Sequence, residues 1–297
     1  MDRNSLDYTV DLAVAGIFYD EFFVDGSVIT DLFTIKQSDG ASETFGSVSS
    51  AGAWSVKPEG VAPTPDELTQ QFKKTFVHTA KASQMMLSRE LIDDNRWGIL
   101  EDASMQLAAG AMLTMEKDAA LLFNDAFTGA EFKSEDGKSI CNTAHLNGDG
   151  GNSQSNSLTN ALDYAGVKAT RTAFKQLKNY RGDLLGAVPD EIMVGDDLED
   201  DAWVLVNSVG KAGSMNNDAN FYNGRFKLLV NSRLTDSNAW FMMSSRQRRR
   251  FLNWFQRVAP ETFGEGDLFK GGRKIGGYMR YSLGCTHWAW IIGNNPS

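Results

Sequence analysis

Cysteine is nearly missing from this sequence: Cys141 and Cys285 are the only two in 297 residues. Two thiols cannot make a disulfide framework, and both read as reduced structural side chains. Histidine is almost as scarce, with His78, His145 and His287 alone. A zinc site needs about four nitrogen, sulfur or carboxylate ligands. The spacings Cys141-x-x-x-His145 and Cys285-x-His287 lack the paired pattern of a finger or ribbon, so no metal is expected. No run of eighteen apolar residues occurs, which excludes a membrane-spanning helix. The N-terminus, Met1-Asp2-Arg3-Asn4-Ser5, lacks the basic and apolar regions of a signal peptide, so the chain is expected to be made and kept in a cytosol. Neither GxxxxGK[ST] nor GxGxxG is found. The segment Gly271-Gly272-Arg273-Lys274-Ile275-Gly276-Gly277 is basic and glycine-rich but matches neither phosphate loop, and reads as turns flanking a strand. No cofactor is expected, and no internal repeat is visible.

An excess of positive charge is missing too. Lys and Arg number 29 against 38 Asp and Glu, a net charge of −9. A dedicated nucleic-acid binder draws its affinity from neutralising phosphates; this chain is instead compatible with enclosing nucleic acid without gripping it. Eighteen Phe, seven Trp and seven Tyr supply the large apolar side chains that are enriched at interfaces. Self-association is consistent with that content.

The stretch that is present in excess is a long helix. Leu91 to Thr128 has no proline and only two glycines, and starts with Asp93-Asp94, either of which suits a helix N-terminus. About thirty helical residues would span roughly 45 Å. Ala103, Leu107, Ala111 and Thr114 form one stripe along it, and Met112, Met115, Ala119 and Leu122 a second. Contacts on more than one side are therefore expected. Ahead of it, a helical reading is fair for Leu12–Phe23, packed either on this chain's own core or on another subunit. Residues 40–68 are rich in Gly, Ser, Ala and Pro, yet Phe45, Val48, Trp54, Val56 and Val61 are spaced through them. Gln71–Leu87 then alternates with period two. Together they read as a long hairpin around a Gly/Pro tip rather than a flexible linker.

After the long helix comes a polar excursion, residues 128–157, with tight turns at Asp149-Gly150-Gly151-Asn152. Ser157 is expected to cap an amphipathic helix whose stripe is Leu162, Ala165, Ala169, Ala173, Leu177 and Tyr180, stopped by Gly182. Glu191–Gly195 reads as a short buried strand. Asp196 starts another helix with Ala202, Leu205, Val206 and Val209 inward, and its acidic first turns need only the helix dipole as explanation. Phe226–Val230 and Trp240–Ser244 read as strands, as do Lys274–Tyr281 and Thr286–Ile292, the last pair as a terminal hairpin with Trp288, Trp290 and Ile292 alternating. The fold class is α+β, with helices and strands segregated.

Two groups stand out as candidate chemistry. Cys141 with His145 could serve a cytosolic enzyme as nucleophile and base, although no local signature supports it. The basic run Arg246, Arg248, Arg249, Arg250 and Arg257, interleaved with Phe251, Trp254 and Phe255, fits single-stranded nucleic acid or an acidic neighbouring subunit. In a chain of net charge −9 the inter-subunit role is expected.

The order of parts resembles the major capsid proteins of tailed phages, the Hong Kong 97-type fold, and among them the Mu-like major head subunits. The motifs that carry the resemblance are Ser88-Arg89-Glu90-Leu91-Ile92-Asp93-Asp94, Leu121-Leu122-Phe123-Asn124-Asp125-Ala126-Phe127, and Asp136-Gly137-Lys138-Ser139-Ile140-Cys141 with His145. They continue through Pro189-Asp190-Glu191-Ile192-Met193-Val194, Leu234-Thr235-Asp236-Ser237-Asn238-Ala239-Trp240-Phe241 and His287-Trp288-Ala289-Trp290-Ile291-Ile292-Gly293. They span residues 70–297, and the first 70 match by layout alone. The resemblance implies an N-terminal arm at 1–40, an extended loop at 41–75, a peripheral domain with a spine helix at 76–125 plus 256–297, and an axial domain at 126–255. It implies a non-enzymatic virion protein, assembled in the host bacterial cytoplasm. Its main partner would be itself, in pentamers and hexamers of an icosahedral shell around double-stranded DNA; portal, scaffold or decoration proteins would be further partners. No cofactor or membrane is implied. Phe45, Trp54, Lys57, Arg246, Arg248, Arg249 and Arg250 are the expected inter-subunit contacts. Some members crosslink through a loop lysine and a neighbour's asparagine. Here Lys57 is the only lysine near the tip and the asparagine has no match, so crosslinking is not expected. No long charged helical leader precedes the arm, so a scaffolding segment is expected to be absent, removed or encoded separately. A nanocompartment shell of the encapsulin type, enclosing an enzyme, is the alternative on the same fold.

Overall fold

The computed structural model describes residues 15–19, 28–50, 52, 54, 56–62, 65, 68–88, 90, 97–146, 153–211, 218–266 and 272–296. In chain order the described elements are α1 (Val28–Leu32), β1 (Thr34–Gln37), β2 (Ser42–Val48), β3 (Gln70–Val77), β4 (Thr79–Leu87), α2 (Trp97–Asn124), β5 (His145–Leu146), β6 (Ser153–Gln154), β7 (Ser157–Leu158) and α3 (Tyr164–Lys175). They continue as β8 (Glu191–Val194), a 3-10 turn at Asp196–Leu198, α4 (Glu199–Asn207), β9 (Lys227–Val230), β10 (Trp240–Met243), α5 (Ser245–Phe251), β11 (Leu252–Gly266), β12 (Arg273–Cys285) and β13 (Ile291–Asn294). The chain forms two compact units. One takes Met1–Glu43, Phe76–Ala119 and Trp254–Leu283; the other takes Thr44–Thr75, Ala120–Asn253 and Gly284–Ser297.

The first unit is built on a four-stranded sheet in the order β1-β11-β12-β4. β12 and β4 run antiparallel, from Arg273 opposite Leu87 to Tyr281 opposite Thr79. α2 contributes Leu107 and Ala108 to a core with Phe18, Leu87 and Ile275, with Ala103 and Ala111 at its edge. Both stripes expected from the sequence are turned inward: the first through Leu107, with Thr114 half-buried and bonding the Gly110 carbonyl of its own helix, and the second through buried Met115, Ala119 and Leu122. Residues 15–19 are helical, and Phe18 is buried in this chain's own core; the rest of the expected Leu12–Phe23 helix lies outside the described residues, as do Asp93 and Asp94. Ile29, Leu32 and Phe33 are likewise buried, with Phe33 set edge-on to Trp254 at 5.7 Å.

The period-two stretch after the tip is two strands rather than one. His78 separates β3 from β4, because its ring is buried and pinned on both nitrogens, to Ser38 at 2.8 Å and Ser282 at 2.9 Å. β3 pairs with β2, and β4 joins the four-stranded sheet.

The second unit contains a five-stranded mixed sheet in the order β7-β13-β10-β8-β9. β10 is antiparallel to both β8 and β13, while β8–β9 and β13–β7 are parallel. The β8-α4-β9 segment is therefore one βαβ crossover inside an otherwise segregated α+β fold. Every residue of β8 and β10 is buried. Ile192, Val194, Ala202, Leu205, Val206, Trp240 and Met242 pack with Val167, Tyr222 and Phe226 into one core.

Five local expectations are corrected here. Ser157 does not cap α3; it lies in β7, and Asp163 is the cap, accepting from Gly166 N at 2.6 Å. The buried face of α3 is Gly166, Val167, Thr170 and Phe174; of the expected stripe, Leu177 is buried and Leu162 and Ala173 pack at core edges, while Ala165 and Ala169 are exposed. The helix ends at Lys175, and Gly182 (φ 90°) sits in a later turn. Val209 is exposed rather than inward. The C-terminal aromatic run is not an alternating strand: His287–Trp290 is a turn, and only Ile291–Asn294 is β. Trp288, Ala289, Trp290, Ile291 and Ile292 are all buried. Because β13 lies between β7 and β10, residues 284–297 belong to the second unit.

Gly166 fixes the start of α3. A Cβ there would stand 2.0 Å from the Ala161 carbonyl oxygen. Gly166→Ala is expected to cost about 3 kcal/mol, an overpacking penalty, in urea denaturation.

Candidate assembly surfaces and a buried polar centre

β2 and β3 form the expected hairpin. Thr44 and Thr75 hydroxyls meet at 3.0 Å, Phe72 N donates to Ser47 Oγ at 3.0 Å, and Ser49 N donates to the Thr69 carbonyl at 2.8 Å. Towards the tip the described apolar side chains are exposed. Trp54 is 99% and Val56 94% exposed, and Val48, Val61 and Leu68 are exposed as well. An indole buries roughly 150–250 Å² when covered, so about 4–6 kcal/mol is available to whatever covers Trp54. Lys57 is exposed beside them and Phe45 is half-buried on β2. The hairpin root is held within its unit. Lys74 Nζ donates to the Lys133 carbonyl and, at 3.5 Å, to that of Ser134. Phe72 meets Tyr180 with ring centroids 6.5 Å apart, and Arg181 Nε donates to the Ser50 carbonyl.

The arginine run forms α5, and it divides. Arg246, Arg249 and Arg250 are exposed, with the Arg250 guanidinium 5.1 Å from the Phe251 ring centroid. Arg248 does not share that surface and leaves the set of contact candidates. It is 3% exposed and grips buried Glu191 by two bonds, Nε to Oε2 and Nη2 to Oε1, each 2.7 Å. A helix with arginines at consecutive positions must turn one of them inward, and Glu191 supplies the matching fork. Arg257 lies on β11, where it bonds the Ser38 carbonyl at 3.1 Å. Trp203 and Phe221 add exposed aromatic surface in the second unit that the sequence did not single out.

Cys141 and His145 are not arranged as nucleophile and base. Cys141 is fully enclosed, and burial pushes its thiol pKa far above the ordinary range. A Cβ on Gly293 would come within 2.7 Å of its sulfur. His145 is buried and stacked on Trp288 at 4.6 Å, with Nδ1 on Asp136 at 2.8 Å and Nε2 on the Ile140 carbonyl at 3.2 Å. Both ring nitrogens are therefore occupied by acceptors other than the thiol. Asn156, wholly buried, ties the same region together: its amide donates to the carbonyls of Ile140 (2.8 Å) and Ile291 (3.1 Å), and its oxygen accepts from Asn142 N at 2.8 Å. Among the described residues no group of three or more His, Cys, Asp or Glu could hold a metal ion.

Beside this network sits an acid that the sequence reading passed over. Glu135 is 7% exposed, and neither carboxyl oxygen makes a well-formed hydrogen bond, the backbone N–H groups of Glu135 and Trp288 giving it only partial support. His287 Nε2 lies 3.7 Å from Glu135 Oε1. Burial raises the Glu135 pKa to about 8 and lowers that of His287 to about 4. Both groups are therefore uncharged between these values. Asp136 differs although it is adjacent. Burial disfavours its charge, but hydrogen bonds from His145 and Ser134 outweigh that and hold its pKa well below the usual carboxylate range.

Among the described residues, the long helix α2 and a paired extended loop carrying exposed apolar side chains stand out, and Cys141 and His145 do not form a catalytic pair. The chain belongs to the phage capsid protein family, whose family model matches residues 73–294. Solved structures agree on the fold. The capsid structure of cyanophage P-SCSP1u is 11% identical over 93% of this chain and 89% of its own, with a TM-score of 0.60. The mature capsid of bacteriophage PhiM1 is 12% identical over 93% and 88%, with a TM-score of 0.59. A virus-like particle from Pyrococcus furiosus matches at a TM-score of 0.51, with 8% identity over 95% and 97%. No individual curated protein sequence matches significantly. The fold is the Hong Kong 97 type, and the protein is a phage capsid protein, a component of the virion.

Proposed function

We propose that this chain is the major head subunit of a tailed phage, of the Mu-like branch, and that it assembles with copies of itself, as pentamers and hexamers, into an icosahedral shell around double-stranded DNA. It does so without catalysing a reaction. The unit containing α2 and the four-stranded sheet serves as the peripheral domain, and the unit containing the five-stranded sheet as the axial domain. The observation that carries the reading is the hairpin tip. Trp54 and Val56 stand in water on a loop whose root is fixed, and an apolar patch held out in this way favours a protein partner. Phe45, Lys57, Arg246, Arg249 and Arg250 belong to the same proposed contacts between copies. Net charge −9 suits enclosing a genome rather than binding it tightly. Portal, scaffold and decoration proteins are the further partners expected of such a subunit, and assembly would take place in the host cytoplasm. The encapsulin-type reading is less favoured because the matching family model is one of phage capsid proteins.

Replacing Trp54 and Val56 together by Glu tests the reading. Both side chains are exposed, so circular dichroism and Tm should stay within about 2 °C of the parent, surface changes being worth about 0.5 kcal/mol or less. Shell yield, read by sedimentation, should fall at least tenfold. Normal shells from the double variant would refute the role given to the tip.

A further inference from the structure

Part of the surface charge of the second unit is sorted by sign. The stretch Asp196–Asp201 holds five acids, Asp196, Asp197, Glu199, Asp200 and Asp201, all exposed, and no base. α3 holds Lys168, Arg171 and Lys175 and no acid. Both helices pack on one core, α3 through Val167 and α4 through Ala202, Leu205 and Val206. Arg171 is joined by Arg225 on a single ring: their guanidinium carbons lie 5.2 and 4.0 Å from the Phe221 centroid. Phe221 is 45% exposed and stands edge-on to buried Tyr222 at 5.3 Å. Tyr222 in turn meets Tyr164 at 4.9 Å, and Lys211 Nζ stands 4.5 Å from the Tyr164 centroid. Ring contacts hold these cations in place without neutralising them. Among the described residues no carboxylate forms an ion pair with Arg171, Lys211 or Arg225. Asp163, beside Tyr164, accepts from Gly166 N, and Asp218 meets Lys211 through the backbone, carbonyl to N–H at 2.8 Å.

This cationic platform and the acids lie at opposite ends of α4. The loop that carries Phe221 and Arg225 closes the C-terminal end of the helix: Gly224 N donates to the Val206 carbonyl at 2.9 Å, and the Asn220 amide donates to the carbonyls of Leu205 and Ser208 at 2.8 and 2.9 Å. The acids crowd the other end. The nine residues of α4 rise about 13 Å, too far for the two groups of one copy to form ion pairs. The helix dipole offers the acids only about half an elementary charge, and the five repel one another. Opposite charges at the two ends of one helix complement a second copy set head to tail. We propose that the Arg171–Phe221–Arg225 platform, flanked by Lys211 and Lys168, is the docking surface for the Asp196–Asp201 turn of a second copy. Guanidiniums held on a ring are already oriented for carboxylates and lose little freedom in meeting them. Five acids on the neighbouring helix disfavour a phosphate backbone as the occupant. A contact between two unlike surfaces passes from copy to copy and closes into a ring where the rotation allows. The proposal rests on the capsid reading for the presence of neighbouring copies and adds which surfaces meet.

Charge exchange on the full-length chain tests it, with the assembled fraction read by sedimentation velocity at low salt and folding by circular dichroism. Arg171→Glu with Arg225→Glu should lower the assembled fraction at least tenfold, and Asp197→Lys with Asp200→Lys should do the same. Each pair should keep Tm within about 3 °C of the parent, as surface changes do. The chain carrying all four substitutions restores unlike charges across the contact and should recover assembly to within about threefold of the parent. Arg225→Glu alone, at an exposed loop position, should still lower assembly at least threefold and keeps the test open if a double variant does not fold. If the parent assembles and the reversed chains assemble as well as it does, the contact is overturned while the capsid reading stands. Loss in both pairs without recovery in the fourfold chain overturns the pairing of these two surfaces. A platform variant that assembles normally but loses affinity for a single-stranded oligonucleotide would make this a nucleic-acid surface and would overturn the proposal too. A parent that stays monomeric throughout overturns both the contact and the capsid reading.

Discussion

Arg248→Met is expected to destabilise the second unit by about 3–5 kcal/mol, the cost of leaving one partner of a buried ion pair alone. Glu191, at the start of a strand buried along its whole length, would lose both of its 2.7 Å bonds and keep its charge in a closed site. Denaturation by urea should show the full loss at neutral pH. The double variant Glu191→Met with Arg248→Met should recover most of the stability, since paired apolar replacements of buried ion pairs are often neutral or better. A single variant within about 1 kcal/mol of the parent would mean that the arginine is not the buried counter-charge. The same result would restore it as a surface contact.

Leu107→Asp is expected to abolish folding of the first unit. Leu107 is 4% exposed and packs on Phe18, Leu87 and Ile275, and Gly277 of β12 lies close enough that a Cβ there would touch its side chain at 3.6 Å. Loss of a buried leucine costs about 2–5 kcal/mol, and a carboxylate adds a desolvation penalty. Leu107 also borders a cleft of about 690 Å³ between α2 and the β4–β12 pair. Water entering there would moderate the second term, so the total is about 5 kcal/mol, comparable to the whole stability of a modest domain. Loss of soluble, helical protein would agree with this. A Leu107→Asp protein melting within a few degrees of the parent would show that α2 is not packed through this residue.

α2 could be read from the sequence because nothing in it interrupts a helix and its apolar residues recur at helical spacing. β8 and β10 could be read because short apolar runs beside turn residues have few other uses. The α3 stripe was right at Leu162, Ala173 and Leu177 and wrong at Ala165 and Ala169, because alanines count as apolar in a periodicity while contributing little to burial; Val167 and Phe174 take the core there. β11, fifteen residues long, was missed altogether. Its sequence contains Pro260, which demotes a strand reading, and its place in the sheet depends on β12 and on β1, more than two hundred residues earlier. The fully exposed Trp54 matched its expected place on the loop, because an indole amid Gly, Ser and Pro has little locally to pack against. Arg248 was not separable from its neighbours, since Glu191 lies 57 residues away. Glu135 was invisible for a related reason. Ser134-Glu135-Asp136-Gly137-Lys138-Ser139 has the composition of a surface turn, and only the tertiary packing of Trp288 and His287 against this region encloses it.

The most direct test of the whole account is the assembly state of the purified chain, by negative-stain microscopy together with light scattering. Closed shells or capsomer-sized particles, many times the 32.7 kDa of the single chain, are the predicted result. A monodisperse 32.7 kDa monomer under every assembly condition would contradict it.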